Sequence, residues 1–151
     1  MRRKTFKRLC YCDKFKYYDV DKVHDLEKFP YPFDDGVVDE IWLSHVLERM
    51  GQDPDVFNKI IKELYRICKN NALIYINLPH PRHDDFITDP THVRPATVAG
   101  LELYKKAHKD RWAEMGAANS PLALFHNVNF EILKSDYVVD ERIIKKSKLE
   151  K

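Results

Sequence analysis

The fold is decided by one stretch, residues 37–79, which reads VVDEIWLSHVLERMGQDPDVFNKIIKELYRICKNNALIYINLP. Residues 37–44 are rich in β-branched and aromatic side chains and follow a turn at 34–36, which indicates a strand. Asp53 and Pro54 are the residue types preferred at a helix N-cap and at the first helical position. A helix is therefore predicted to begin at Pro54.

The rest of this stretch predicts a helix followed by a second strand. Apolar side chains recur at helical spacing at Phe57, Ile60, Ile61, Leu64 and Cys68. Asn70 and Asn71 are expected to end the helix, because Asn tolerates the left-handed backbone found there. Residues 72–78 are almost wholly apolar, as in a strand covered on both faces. Together these elements predict a βαβ unit with parallel strands and a right-handed crossover.

Polar side chains follow each predicted strand. In an open parallel sheet, ligands bind beyond the carboxyl ends of the strands. An earlier candidate strand at 21–24 would bring a third strand end to the same edge if it is also parallel. The residues at these three strand ends are Asp25, Leu26, Ser44, His45 and His80. We expect a ligand site at that edge.

Composition suits one soluble domain. The chain has 151 residues, 44% hydrophobic and 33% charged, with a formal charge of +2 that is too small to argue for nucleic acid. Basic residues crowd 1–8 and 145–151, which we expect to be flexible ends; a polyanion contact is the alternative. No apolar run approaches the ~18–20 residues of a membrane helix. With an odd number of cysteines and no secretory signal, a cytoplasmic location is expected.

Other segments carry weaker predictions. Residues 29–33 are an extended, proline-rich connection whose aromatic side chains pack on the core or contact substrate. Residues 79–96 form a long loop, a feature that is usually functional or disordered. A helix is predicted at 97–115 and a half-exposed strand at 128–132. Residues 137–144 are predicted to form a last, antiparallel edge strand.

Several motifs now point to a known family. In chain order they are His24–Leu26, Phe29–Asp35, Val38–Glu48, Glu63–Lys69, Ile76–Pro79 and Asp89–Arg94. Over about residues 16 to 140 the chain resembles class I S-adenosylmethionine-dependent methyltransferases of the methyltransferase type 11 subgroup. The resemblance implies an α/β, Rossmann-like three-layer sandwich with a mostly parallel sheet and an antiparallel last strand. It also implies methyl transfer from S-adenosylmethionine to a small-molecule or sugar-like acceptor.

The resemblance also implies roles for individual residues. Asp25 would contact the adenine with Leu26 beside it, and Ser44 and His45 would line the cofactor and the methyl-transfer site. The ribose hydroxyls would be held by an acid at the end of a second strand, for which Asp21 or Asp19 is the candidate. Three further residues, His80, His92 and Arg94, would contact the acceptor.

One departure from the family is pronounced. The family holds its cofactor with a G-x-G loop after the first strand, where glycine permits close backbone approach. The four glycines here are at 36, 51, 100 and 116, and residues 9–13 stand where that loop is expected. The N-terminal half is therefore expected to be reduced. A methyltransferase-like binding or scaffold protein without cofactor is one alternative, and a basic protein that binds a polyanion is another. A homodimer would cover an edge left unpaired by lost strands.

The chemistry of the candidates leaves alternatives open. His45 can handle a proton or position substrate, but it can equally cap the following short helix. His80, His83 and His92 invite a metal, yet their spacing fits no standard zinc module, and we expect none. Arg94 can bind an anionic substrate group or form a structural ion pair.

Overall fold

The computed structural model describes residues 9–16, 19–107, 114 and 120–138. The strands are β1 (Cys12–Asp13), β2 (Lys22–Val23), β3 (Val38–Ser44) and β4 (Cys68–Asn77). The helices are α1 (Pro54–Ile67), α2 (Asp84–Thr88), α3 (Val98–Glu102) and α4 (Leu122–Phe125), with a 3-10 turn at Leu47–Arg49. Both strand pairs, β1–β2 and β3–β4, are parallel, so the architecture is α/β with two small parallel sheets.

The predicted βαβ unit is confirmed as a parallel pair joined by a helix. β3 pairs with β4 in a register that sets Trp42 beside Tyr75 and Ser44 beside Asn77. The helix begins as predicted, because the Asp53 side chain accepts a hydrogen bond from the Asp55 backbone N–H at 2.7 Å.

The end of α1 differs from the prediction. The helix stops at Ile67 rather than at the asparagines, and β4 begins at the next residue. The carbonyls of Arg66 and Ile67 accept hydrogen bonds from the Gly36 and Val37 backbone N–H groups, both at 2.9 Å, so no cap is needed. Asn71 does adopt a left-handed φ of 64°, but it does so within an irregular part of β4 rather than at a helix end.

The β3–β4 pair is covered on one face by α1. The apolar stripe of the helix is buried there, through Phe57, Ile60, Ile61, Leu64 and Ile67. On the other face Trp42 is 67% exposed and stacks on Tyr75, with ring centroids 4.1 Å apart. The prediction that β4 is covered on both faces is therefore wrong for the part of the chain that the structure describes.

The 29–33 connection packs on the core, as the first of its two interpretations predicted. Tyr31 is 3% exposed, and Phe29 and Phe33 pack against the same cluster. The Tyr31 hydroxyl donates to the Leu26 carbonyl at 2.9 Å, and the Tyr31 backbone N–H donates to Glu63 at 2.6 Å. These contacts fix the β1–β2 side of the molecule to α1.

The C-terminal predictions are only partly met. α3 ends at Glu102 and residues 103–107 are not helical, so the predicted helix is interrupted there; residue 114 is helical, and 108–113 and 115–119 lie outside the described residues. Residues 128–132 form no strand: the Val128 backbone N–H donates to the Ala123 carbonyl in α4, and the Phe130 backbone N–H donates to the Tyr104 carbonyl in the turn after α3. Val128, 1% exposed, instead anchors this segment in the core.

The last predicted strand and both basic ends remain largely untested. Residues 137 and 138 have no regular structure. Residues 1–8 and 139–151, which include the rest of that strand and the two basic segments, lie outside the described part of the chain. Among the helices described, none has the length and apolar character needed to cross a bilayer.

Candidate functional site

The site lies where β3 ends. His45 directly follows the strand, and its backbone N–H donates to the Asn77 carbonyl at 2.8 Å. Its φ of 54° is left-handed, a conformation that is uncommon for residues other than glycine and is concentrated at functional sites. The side chain is 55% exposed. The turn therefore presents an accessible imidazole at the carboxyl end of a parallel strand.

A buried carboxylate lies behind that imidazole. Glu48, in the 3-10 turn, is fully buried at 0% exposure. Its Oε1 atom is 3.6 Å from His45 Nδ1, 3.7 Å from Arg49 Nε and 3.8 Å from His92 Nε2. Within the described residues neither Glu48 oxygen has a hydrogen-bond partner, and His92 Nε2 has none either. Sequence reasoning missed Glu48, although its place three residues after His45 was a usable signal.

Residues 79–96, predicted as a loop, contain α2 and are attached by hydrogen bonds to this turn. The backbone N–H groups of Val93 and Arg94 both donate to the Glu48 carbonyl, at 2.8 and 3.0 Å. Arg94 Nε donates to the Gly51 carbonyl at 2.6 Å, and its guanidinium lies 4.4 Å from the centre of the Phe57 ring. Arg94 thus holds the loop in place through backbone carbonyls of the turn after β3.

His92 lies beneath the surface, with its side chain only 4% exposed. Its Nδ1 bonds the Phe86 carbonyl at 3.1 Å and its ring stacks on Phe86. Its Nε2 points to two carboxylates, Glu48 at 3.8 Å and Asp89 at 3.5 Å. His92 therefore joins the loop to the buried carboxylate, and it is not placed to meet an acceptor directly.

Asp89, in the 79–96 loop, contacts both Arg49 and His92. Its Oδ2 is 2.9 Å from Arg49 NH2, and Arg49 also contacts the Thr91 hydroxyl. Hydrogen bonds from the Thr91 hydroxyl and backbone N–H, with a further one from Arg49, lower the pKa of Asp89 to about 2. We call the five residues His45, Glu48, Arg49, Asp89 and His92 the acid–histidine cluster.

The pKa of Asp89 predicts how the loop responds to acid. Because the folded-state pKa is depressed, the stabilisation from Asp89 is present above its unfolded pKa of about 3.9 and is lost as pH falls towards about 2. Asp89→Asn should therefore lower the unfolding midpoint at pH 7, and the gap from wild type should shrink between pH 4 and pH 2. Thermal unfolding at pH 7, 4 and 2 measures this. Asp85→Asn, at an exposed loop carboxylate, is the control, and a gap that stays constant with pH would contradict the assignment.

The second group of candidates lies at the carboxyl end of the β1–β2 pair. Asp25 accepts a hydrogen bond from the Glu27 backbone N–H at 3.0 Å and pairs with Lys14 Nζ at 3.1 Å. Burial acts to raise the pKa of Asp25, but these two contacts outweigh it and hold that pKa below its usual range. Asp13 ends β1 at the same edge, since its carbonyl accepts from the His24 backbone N–H at 2.8 Å.

Asp21 is not at that edge. It precedes β2, and its carboxylate accepts a hydrogen bond from the Tyr11 backbone N–H at 2.9 Å, which places it at the amino end of the strands. Cys12 lies within β1, so it is not part of a loop after a strand. Asp13 is the acid that sequence reasoning missed; its place at the end of a short apolar run was the available signal.

The two groups are joined by one hydrogen bond. Glu27 Oε1 accepts from the Gly51 backbone N–H at 2.7 Å, which ties the turn after Leu26 to the turn after His45. An open depression beside this bond is lined by Glu27, Lys28, Gln52, Asp53 and Val56. Among the described residues β2 pairs with β1 and not with β3, so the three strand ends do not share the edge of one hydrogen-bonded sheet, contrary to the expectation from the sequence.

His80 and Ser44 flank the site at the end of the β3–β4 pair. Ser44, which pairs with Asn77, is exposed. His80 is exposed too; its Nδ1 accepts from the Arg82 backbone N–H at 3.2 Å, and its ring packs edge-on against Tyr137.

The remaining candidate groups are metal-ligand side chains and thiols. Within the described ranges, no group of three or more His, Cys, Asp or Glu side chains is arranged to hold a metal ion. Cys10, Cys12 and Cys68 are free thiols, and burial raises the pKa of Cys68 to about 11, which disfavours the reactive thiolate.

Comparisons with protein-family models, with curated proteins and with solved structures found no match to this chain.

Proposed function

We propose that the chain is a Rossmann-like, S-adenosylmethionine-dependent methyltransferase-related domain that acts on a small-molecule or sugar-like acceptor. Its ligand site lies beyond the carboxyl ends of the parallel strands. The observation that carries the proposal is the exposed His45, held in a left-handed turn at the end of β3 and backed by the buried Glu48.

Strand pairing supports the Rossmann-like part of the proposal. In the doubly wound order 3-2-1-4-5-6, the second and third strands are neighbours, as are the fourth and fifth. β1–β2 and β3–β4 are two such parallel pairs, consecutive in the chain. In that order the first strand lies against the fourth, which is the position of β3. If β1 were the first strand it would therefore pair with β3, and no such pairing occurs among the described residues. We therefore assign β1 to the second position.

This assignment changes the candidate for the ribose-binding acid from Asp21 to Asp13. Asp13 ends β1, which is where a ribose-binding carboxylate is expected, whereas Asp21 lies at the wrong end of the strands. The described residues supply no strand for the first position, and the glycine-rich loop of the family would follow that strand. The mismatch at residues 9–13 is then explained, because they belong to a different strand.

The residues present fit the nucleoside end of the cofactor. Carboxylates accept hydrogen bonds from ribose hydroxyls and from the adenine amino group, and each carboxylate oxygen of Asp13 and Asp25 can accept more than one bond. The bound cofactor would supply an electrophilic methyl group. Displacement at that carbon depends chiefly on positioning, and in this proposal His45 takes a proton from an acceptor that must lose one.

Isothermal titration calorimetry with S-adenosylmethionine tests the proposal. We expect binding between micromolar and millimolar concentrations, and we expect Asp13→Asn and Asp25→Asn to weaken it about tenfold each, as loss of a charge-assisted hydrogen bond does. Asp39→Asn is the matched control, because Asp39 pairs with Lys69 at the opposite end of β3. No heat from folded protein up to millimolar cofactor would overturn the proposal.

A binding module without cofactor is the second candidate function. One observation favours it: the sequence has no glycine before Gly36, so the described N-terminal residues offer no close backbone approach to a cofactor. In that case the calorimetry gives no heat, whereas ligands that reach His45 and His80 still perturb those two side chains.

A further inference from the structure

We propose that Glu48 is the positioning residue for His45: its buried carboxylate holds the imidazole with Nδ1–H turned inward, so that Nε2 faces the acceptor. The inference rests on the proposed function for the task of His45. The orientation itself can be measured without any cofactor.

The first step is the state of Glu48. A fully buried carboxylate that lacks hydrogen bonds is costly, because it has lost water without gaining a replacement. Both Glu48 oxygens are in this position with respect to the described residues. A native fold retains such a group where a neighbouring donor turns to meet it, and three side-chain nitrogen atoms lie within 3.8 Å of Oε1.

The second step is which donor is free to turn. Arg49 already donates hydrogen bonds from NH1 to Thr91 and from NH2 to Asp89. Its Nε lies 3.7 Å from Glu48 Oε1. His92 is fixed by its bond to the Phe86 carbonyl, which can only accept, so Nδ1 carries the hydrogen there. The His45 ring makes no hydrogen bond to the described residues, and its Nδ1 is the nearest of the three atoms to Glu48 Oε1, at 3.6 Å.

The third step is what that contact does to His45. In a neutral imidazole one nitrogen donates and the other accepts. A Glu48 carboxylate at Nδ1 selects the tautomer with hydrogen on Nδ1, and it leaves the Nε2 lone pair on the exposed side of the ring. Carboxylates orient catalytic histidines in the same way in hydrolases.

His92 lies against Glu48 from the side of the 79–96 loop. It is 4% exposed and 3.8 Å from the shared oxygen, and it belongs to the 79–96 loop. The loop therefore supports the carboxylate that supports His45. Substitutions of the loop at His92 are expected to act on His45 only through Glu48.

The test is the histidine tautomer, read from long-range ¹H–¹⁵N NMR of the ring nitrogens. We expect His45 in the wild-type protein to show hydrogen on Nδ1. In Glu48→Gln the side-chain amide can donate instead of accept, so the tautomer ratio should move about tenfold towards hydrogen on Nε2. Asp85→Asn is the matched control, because it removes a carboxylate 3.4 Å from an exposed histidine, His83, and should leave His45 unchanged.

Two results would overturn the inference. One is a wild-type spectrum with hydrogen on Nε2 of His45, which decides the matter even if Glu48→Gln fails to fold. The other is an unchanged His45 tautomer in a folded Glu48→Gln protein. Neither result depends on S-adenosylmethionine, so failure of the positioning role is distinguishable from failure of cofactor binding in the calorimetry.

Discussion

Gly51→Ala should destabilise the protein by about 3 kcal/mol or more. Gly51 has a φ of 66°, and an added Cβ would lie 2.6 Å from Phe57 Cβ and 2.7 Å from Phe57 Cα. The Cα belongs to the backbone of α1, so relief requires the helix and the turn to move apart. The same residue donates to Glu27 and accepts from Arg94, so any shift also loosens the two loops around the site.

Gly36→Ala is the matched control for that substitution. Its φ of 61° is nearly the same, but nothing lies within 4 Å of the added Cβ. It should therefore show only the left-handed backbone cost, about 1–2 kcal/mol. Urea unfolding of both variants measures the difference. Equal losses of unfolding free energy would contradict the assignment of the larger effect to the contact with Phe57.

Arg66→Met should cost about 2–4 kcal/mol of unfolding free energy. Arg66 forms a two-pronged contact with Glu63, at 2.9 and 2.7 Å, and donates to the carbonyls of Phe33 and Tyr31. The substitution keeps the apolar stem but leaves the largely buried Glu63 carboxylate without its cation. Its further bond to the exposed Asp35 is expected to contribute little.

The control for Arg66 is Arg66→Lys, which retains the charge but not the planar fork that reaches several acceptors at once. We expect Arg66→Lys to recover less than half of the unfolding free energy that Arg66→Met loses. Arg66 hydrogen bonds are the main cause that holds the pKa of Glu63 below its usual range. The higher unfolding free energy of wild type relative to Arg66→Met should thus be present above the usual carboxyl pKa. It should fade as pH falls through the folded-state pKa of Glu63. An Arg66→Met protein as stable as wild type at pH 7 would show that the 29–35 connection does not need this anchor.

Capping residues and residue spacing predicted those helix and strand ends that depend on residues within the same short segment. Asp53 caps α1 where expected, and residues 38–44 form the expected strand. The far end of α1 could not be read in this way, because the partners of its last carbonyls are Gly36 and Val37, about 30 residues earlier in the chain. The same holds for 128–132, where alternation indicated a strand but Phe130 donates to Tyr104 instead.

The same distinction between local signals and distant contacts applies to the candidate site. By itself, the sequence determined the βαβ unit and the position of His45 at the end of its first strand, because spacing and capping act over a few residues. Only the tertiary structure decided that Glu48 is buried, that His92 reaches it from a loop, and that Asp13 rather than Asp21 lies at the carboxyl edge. Burial and contact depend on which distant segments pack together, and no local pattern of residues encodes that.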